Sequence, residues 1–114
     1  MHRMDFHGQT ALVTGGARGL GRAIARALGR RGCRVILLDV LEEAVEETAS
    51  ALRAEGLSAT PVACDLRSLD AATKAVDEIQ AMTGGVDILV NNAGGGGTGP
   101  FVPLGRESIE RTVA

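Results

Sequence analysis

The sequence predicts an α/β protein: the first half of a doubly wound parallel sheet, about four strands in the order 3-2-1-4 with three full helices and a truncated fourth. Three observations carry that expectation. Short apolar runs alternate along the chain with stretches in which apolar residues recur at helical spacing. The links between them are short, which forces parallel pairing through right-handed crossovers. The first apolar run passes through clustered glycines directly into a helical stretch, as a strand meeting a helix at a tight turn must do.

Thr10 to Thr14, TALVT, reads as a buried first strand that ends in Gly15 and Gly16. Leu20, Ile24, Ala27 and Leu28 then form a helical stripe that Gly32 closes as a C-terminal cap. Arg34 to Asp39, RVILLD, is continuously apolar between charged ends, the pattern of a strand covered on both faces. Leu41, Val45, Thr48 and Leu52 stripe a second helix, with Glu42, Glu43, Glu46 and Glu47 toward solvent and Gly56 after it. Ala59 to Ala63, interrupted by Pro61, is a weaker third strand. Leu69, Ala72, Val76 and Ile79 mark a third helix ending before Gly84, and Val86 to Val90 is the fourth strand. Residues 94–105 read as a flexible glycine-rich loop. Glu107 to Ala114 reads as a helix without a stop signal, hence cut short. All 114 residues therefore read as one domain, truncated at its C-terminus.

Composition narrows the function. The chain is 45% hydrophobic and 23% charged, as expected for a folded globular protein. A net charge of −2 and an aromatic complement of two Phe, without Trp or Tyr, offer neither a positive field for phosphate backbones nor surfaces for stacking bases, which argues against nucleic acid. No apolar stretch approaches membrane-spanning length and Met1 to Thr10 holds two His, an Arg and an Asp instead of an apolar run, so a cytoplasmic protein without membrane contact is expected. Cys33 and Cys64 lack CxxC spacing and read as small buried thiols, and no metal-ligand set is present.

The chemistry concentrates where strands end. Thr14 to Gly21 reads TGGARGLG between a strand and a helix, where backbone N–H groups and the helix dipole can meet a pyrophosphate. Gly15 suits the tight turn, Gly19 lets the backbone approach phosphates, and Gly21 allows close helix-on-strand packing. A P-loop is excluded, because no Lys followed by Ser or Thr completes it. Asp39 ends the second strand, from which a carboxylate can accept hydrogen bonds from both adenosine ribose hydroxyls. At about 4 Å and an effective dielectric of ~20, its repulsion of a 2′-phosphate is roughly 4 kcal/mol per pair of unit charges, so NAD is favoured over NADP. Arg18 is the possible compensating cation. Alternatively it belongs with Arg22, Arg26 and Arg30 to a charged helix face that could pair with the second-helix glutamates. After the third strand, Asp65 can accept from an adenine amino group while Leu66 covers the ring, or Asp65 can cap the third helix. Asn91 to Gly94, NNAG, can bridge neighbouring strand ends through an Asn amide while Ala93 and Gly94 leave room for a cofactor.

Together, TGGARGLG, the strand-ending Asp39, CDL at Cys64 to Leu66, VDILVNNAG at Val86 to Gly94 and FVPL at Phe101 to Leu104 resemble the short-chain dehydrogenase/reductase family, from about Asp5 onward. The resemblance implies a Rossmann-type fold and hydride transfer between a nicotinamide cofactor and a small carbonyl or alcohol, in a complete enzyme that is a homo-oligomer. It also implies that Gly15, Arg18, Gly19, Leu20 and Gly21 line the pyrophosphate, Asp39 the ribose, Asp65 and Leu66 the adenine, and Asn92, Ala93 and Gly94 the nicotinamide-side ribose. The family's Tyr-x-x-x-Lys pair is not present: Tyr is absent and the sole lysine, Lys74, lies on the third helix. No catalytic residue is therefore assigned, and the chain is expected to be inactive by itself. A self-contained, non-catalytic dinucleotide-binding or regulatory module is the competing reading.

Overall fold

The computed structural model describes residues 6–92. They form β1 (Thr10–Thr14), α1 (Gly19–Arg30), β2 (Arg34–Asp39), α2 (Glu42–Ala54), β3 (Ser58–Ala63), α3 (Leu69–Thr83) and β4 (Ile88–Asn91). The strands make one parallel sheet in the order β3-β2-β1-β4, as the alternating pattern predicts. Ala93, Gly94, the glycine-rich loop and the expected fourth helix lie outside the described residues.

Both sheet faces are covered, which explains why the central strands read as unbroken apolar runs. Alternate residues go to opposite sides: Ala11, Val13, Val35 and Leu37 pack under α1 and α2. Leu12, Ile36, Leu38 and Leu89 pack with Ala75 and Ile79 of α3. Among the described residues no helix is long and apolar enough to cross a membrane.

Several expectations need correction in detail. The fully buried line of α1 is Gly21, Ala25 and Gly29, while Ala27 is exposed and Leu20 is 66% exposed. Ile24 and Leu28 of the expected stripe do pack, half-buried, against this core, and the small residues between them let the helix backbone come close. Leu69 is likewise exposed at the start of α3, whose buried positions are Ala72, Ala75 and Ile79. The fourth strand begins at Ile88 instead of Val86; just before it Asp87 meets Thr10 twice, its carboxylate accepting from Thr10 N–H and its own N–H donating to Thr10 O, both at 2.9 Å. Pro61 is accommodated because β3 is an edge strand.

The helix ends follow the glycines closely. Helices α1 and α2 close in the same way: Gly32 N–H donates to Gly29 O and Cys33 N–H to Leu28 O, while Gly56 N–H donates to Arg53 O and Leu57 N–H to Leu52 O. Gly32 thus sits one residue past the cap position, Arg31. Helix α3 is capped by Ser68, whose hydroxyl accepts from Ala71 N–H at 3.2 Å, not by Asp65.

The arginine row does pair with an acid of the second helix region, but with Glu55 rather than Glu42, Glu43, Glu46 or Glu47. Arg26 reaches Glu55 at 2.8 Å and Arg30 at 3.6 Å. Both helices follow parallel strands, so their C-terminal ends lie together, and Glu55 is the residue that closes α2 there. Cys33 and Cys64 are free and buried, and burial pushes both thiols above their ordinary pKa.

Candidate cofactor site

Parallel pairing brings the C-terminal ends of all four strands to one edge of the sheet, and every predicted site residue within the described region lies there. From Thr14 the chain turns back over β2, with Gly15 and Gly16 N–H groups both donating to Leu38 O at 2.8 and 3.3 Å. Gly16 is buried, and a Cβ on it would meet Leu37 Cδ2 at 2.9 Å. Ala17 is buried as well, after which Arg18, Gly19 and Leu20 emerge at the surface.

These three exposed residues stand at the start of α1. Arg18 occupies the cap position in an extended conformation and its side chain makes no capping hydrogen bond, and no acidic residue stands in the first turn. The first N–H groups of a helix have no intrahelical partner, so this end keeps its donors and its positive dipole available to an anion. Gly19 has φ +55° with nothing within 4 Å of where a Cβ would stand, leaving open space in front of the turn. A Cβ on Gly21 would lie only 2.0 Å from Gly15 O and 2.8 Å from Asn92 Nδ2, so the helix rests directly on the turn backbone.

Asp39, half-buried at the tip of β2, sits against this turn. One carboxylate oxygen accepts from Ala17 N–H at 3.0 Å and the other from Leu41 N–H at 3.1 Å. A carboxylate oxygen can accept more than one hydrogen bond, so both retain capacity for a pair of sugar hydroxyls. Val40 and Leu41, 55% and 39% exposed, follow it and present apolar surface beside the acid. Cys64 N–H donates to Asp39 O at 2.9 Å, extending the β2 pairing to the end of β3.

Beyond β3, Leu66 packs partly into the α3-side core. Asp65 is gripped by Arg67, whose guanidinium donates to both carboxylate oxygens at 3.0 Å and whose backbone N–H adds a third bond at 3.0 Å. Those hydrogen bonds hold the Asp65 carboxyl below the usual carboxylate range.

The end of β4 is tied to the end of β1 as the Asn-Asn pair suggests. Asn92 N–H donates to Thr14 Oγ1 at 2.9 Å and its Nδ2 donates to Gly15 O at 3.2 Å, while the Thr14 hydroxyl lies 3.1 Å from Asn91 Oδ1. These bonds fix the turn from the β4 side. A separate cavity of about 540 Å³ lies at the opposite edge, between Gly8, Arg34, Thr83, Gly85 and Asp87, away from all of these residues.

Sequence reasoning missed three members of the site: Gly16, Thr48 and Val40. Thr48 donates to Ala17 O at 2.6 Å from α2, although its spacing reads as one more member of an apolar stripe. Exposed Val40 and Leu41 directly after the strand-ending acid were the available signal for apolar surface there.

A doubly wound parallel α/β sheet with an anion-ready helix start and an acid beside it defines the class. Residues 9–114 match the family model described as short chain dehydrogenase, and the chain belongs to that oxidoreductase family. It is 40% identical to a sorbitol dehydrogenase of Cereibacter sphaeroides over 97% of this chain and 42% of that protein. Among solved structures it resembles a metagenomic short-chain oxidoreductase in complex with NADP, at TM-score 0.73 and 42% identity over 76% of this chain and 39% of that one. It also resembles an NAD+-bound xylitol dehydrogenase, at TM-score 0.75 and 36% identity over 79% of this chain and 35% of that one. The chain thus spans about two fifths of the length of the curated relative.

Proposed function

We propose that this chain supplies the cofactor-binding part of an NAD-dependent oxidoreductase acting on a small carbonyl or alcohol. The observation that carries the reading is the uncapped, acid-free start of α1 beside Asp39, both joined to the same buried residue, Ala17. In this reading Gly15, Arg18, Gly19, Leu20 and Gly21 surround the pyrophosphate, and the first-turn N–H groups of α1 meet its charge. Asp39 accepts from the adenosine ribose hydroxyls, and Asp65 and Leu66 flank the adenine. Asn92 fixes the turn, while Ala93 and Gly94 continue toward the second ribose.

The nicotinamide cofactor, when bound, exchanges a hydride with the substrate carbon; the residues of this chain bind and orient it. Preference for NAD rests on Asp39, whose charge opposes a 2′-phosphate, and on the apolar Val40 and Leu41 that follow it. Relatives bound to either cofactor fit the fold equally well, so the preference rests on these residues alone. Proton exchange with substrate needs a group these residues do not provide, since Tyr is absent and Lys74 is exposed on α3. The 114 residues alone are accordingly proposed to bind cofactor without turning over substrate. Free Cys33 and Cys64 suit a reducing, cytoplasmic setting.

Calorimetric titration of the chain with NAD and NADP at fixed ionic strength tests the reading. Tighter binding of NAD is expected; equal affinities would remove the role given to Asp39, and no binding of either would remove the function itself.

A further inference from the structure

The turn that offers its N–H groups at the sheet edge is held in place through Ala17, and the holding groups come from two other elements. Ala17 is 1% exposed. Its N–H is taken by Asp39 at 3.0 Å, and its carbonyl by the Thr48 hydroxyl at 2.6 Å. Thr48 is 1% exposed on the buried face of α2, far from Ala17 in sequence. A helical threonine can spend its one hydroxyl proton on the carbonyl a turn earlier in its own helix. Here the proton goes to the turn instead.

The consequence follows from peptide geometry. In a planar trans peptide the C=O and N–H point in opposite directions. A hydrogen bond that draws Ala17 O inward to Thr48 therefore turns the Arg18 N–H of the same peptide away from the core, toward the exposed segment where Arg18, Gly19 and Leu20 stand. The helical ladder begins one residue later, with Arg22 N–H donating to Arg18 O, so it does not fix this peptide.

We propose that Thr48 is a positioning residue for the phosphate-binding turn, setting the orientation of the Ala17–Arg18 peptide so that Arg18 N–H joins the first-turn donors facing a pyrophosphate. This rests on the cofactor-binding reading above. Asp39 then has two duties, sugar recognition and fixing the preceding peptide, and Thr48 completes the hold from the opposite side. Without the hydroxyl, Ala17 O is a buried acceptor lacking its donor, and the turn relaxes to satisfy it. The share of molecules with a binding-competent turn falls, and affinity falls by the same factor.

Three variants of the full chain separate this from general loosening: Thr48→Val keeps shape and removes the hydroxyl, Thr48→Ser keeps the hydroxyl, and Thr48→Ala removes both. Affinities for NAD, ADP and adenosine are measured by NMR titration under conditions where each variant is folded. Thr48→Val is expected to weaken NAD and ADP about tenfold, to leave adenosine within about twofold, and Thr48→Ser to restore the wild-type values. If the valine variant does not fold, the Ser and Ala variants, which share the lost methyl, decide by the same comparison. Unchanged NAD binding without the hydroxyl, equal losses for adenosine and ADP, or failure of serine to restore would overturn the proposal. A wild-type chain that takes no NAD overturns the underlying reading and this inference with it, and is recognised before any variant is compared.

Discussion

Replacing Gly21 by alanine sets two effects of opposite sign against each other, and the structure says which prevails. In an exposed helix interior, Gly to Ala stabilises by about 0.8–1.0 kcal/mol. At Gly21 the new Cβ would lie 2.0 Å from Gly15 O and 2.8 Å from Asn92 Nδ2. The Asn92 amide can swing aside, but the Gly15 carbonyl is backbone in a turn fixed by the Gly15 N–H bond to Leu38 O, so α1 itself must move by more than an ångström. Overpacking of this kind costs typically about 1–3 kcal/mol, and backbone against backbone belongs at the upper end. The net expectation is a loss of about 2 kcal/mol. Gly19→Ala is the control: its Cβ meets nothing within 4 Å, and only its φ of +55° penalises a side chain, by roughly 1 kcal/mol. Urea unfolding of both variants measures the difference, and a Gly21→Ala chain as stable as the wild type would refute the contact on which the close docking of α1 depends.

Other perturbations give further expected outcomes. Asp39→Asn keeps an acceptor for Ala17 N–H while removing the charge, so the NAD-to-NADP affinity ratio should fall by roughly tenfold or more at low salt, less as salt screens the site; an unchanged ratio in paired titrations would argue against the ribose role. The Glu55 carboxyl is held below its usual range first by its hydrogen bond to Arg26. Because the folded-state pKa is depressed, its stabilising contribution is present above the unfolded pKa of about 4.3 and is lost as pH falls through the lower folded value. NMR titration should find the Glu55 midpoint low, and Arg26→Ala should raise it. Burial raises the Cys33 and Cys64 thiols, so alkylation near pH 8 should be slow in the folded chain and accelerate with urea; fast labelling of folded protein would contradict their burial.

Much of the fold was legible because strand and helix leave separate periodic signatures. Unbroken apolar runs at Thr10–Thr14 and Arg34–Asp39 identified strands covered on both faces, and their alternation with helices fixed the parallel order. What sequence could not show was set by tertiary contact. The buried line Gly21, Ala25, Gly29 carries little hydrophobic volume, so periodicity found Ile24 and Leu28, which pack beside it, but also took in exposed Leu20 and Ala27. Asp87 looks like an ordinary strand residue until its carboxylate is seen holding Thr10 N–H. Thr48 counts as apolar by position, and only the fold brings its hydroxyl to Ala17. Asp39 and Asp65 stand out in the sequence because one ends a strand and the other comes just after one, whereas the hold of Arg67 on Asp65 is a local pairing that strand-end logic does not address.

The most direct measurement is a map of backbone amide shifts as NAD is added to the isotope-labelled chain. Saturable changes centred on Arg18 through Gly21, with Asp39 and Val40 following, are expected. Changes centred on Gly8, Thr83 and Gly85 at the other edge, or none, would mean that the glycine turn is not where this protein takes its cofactor.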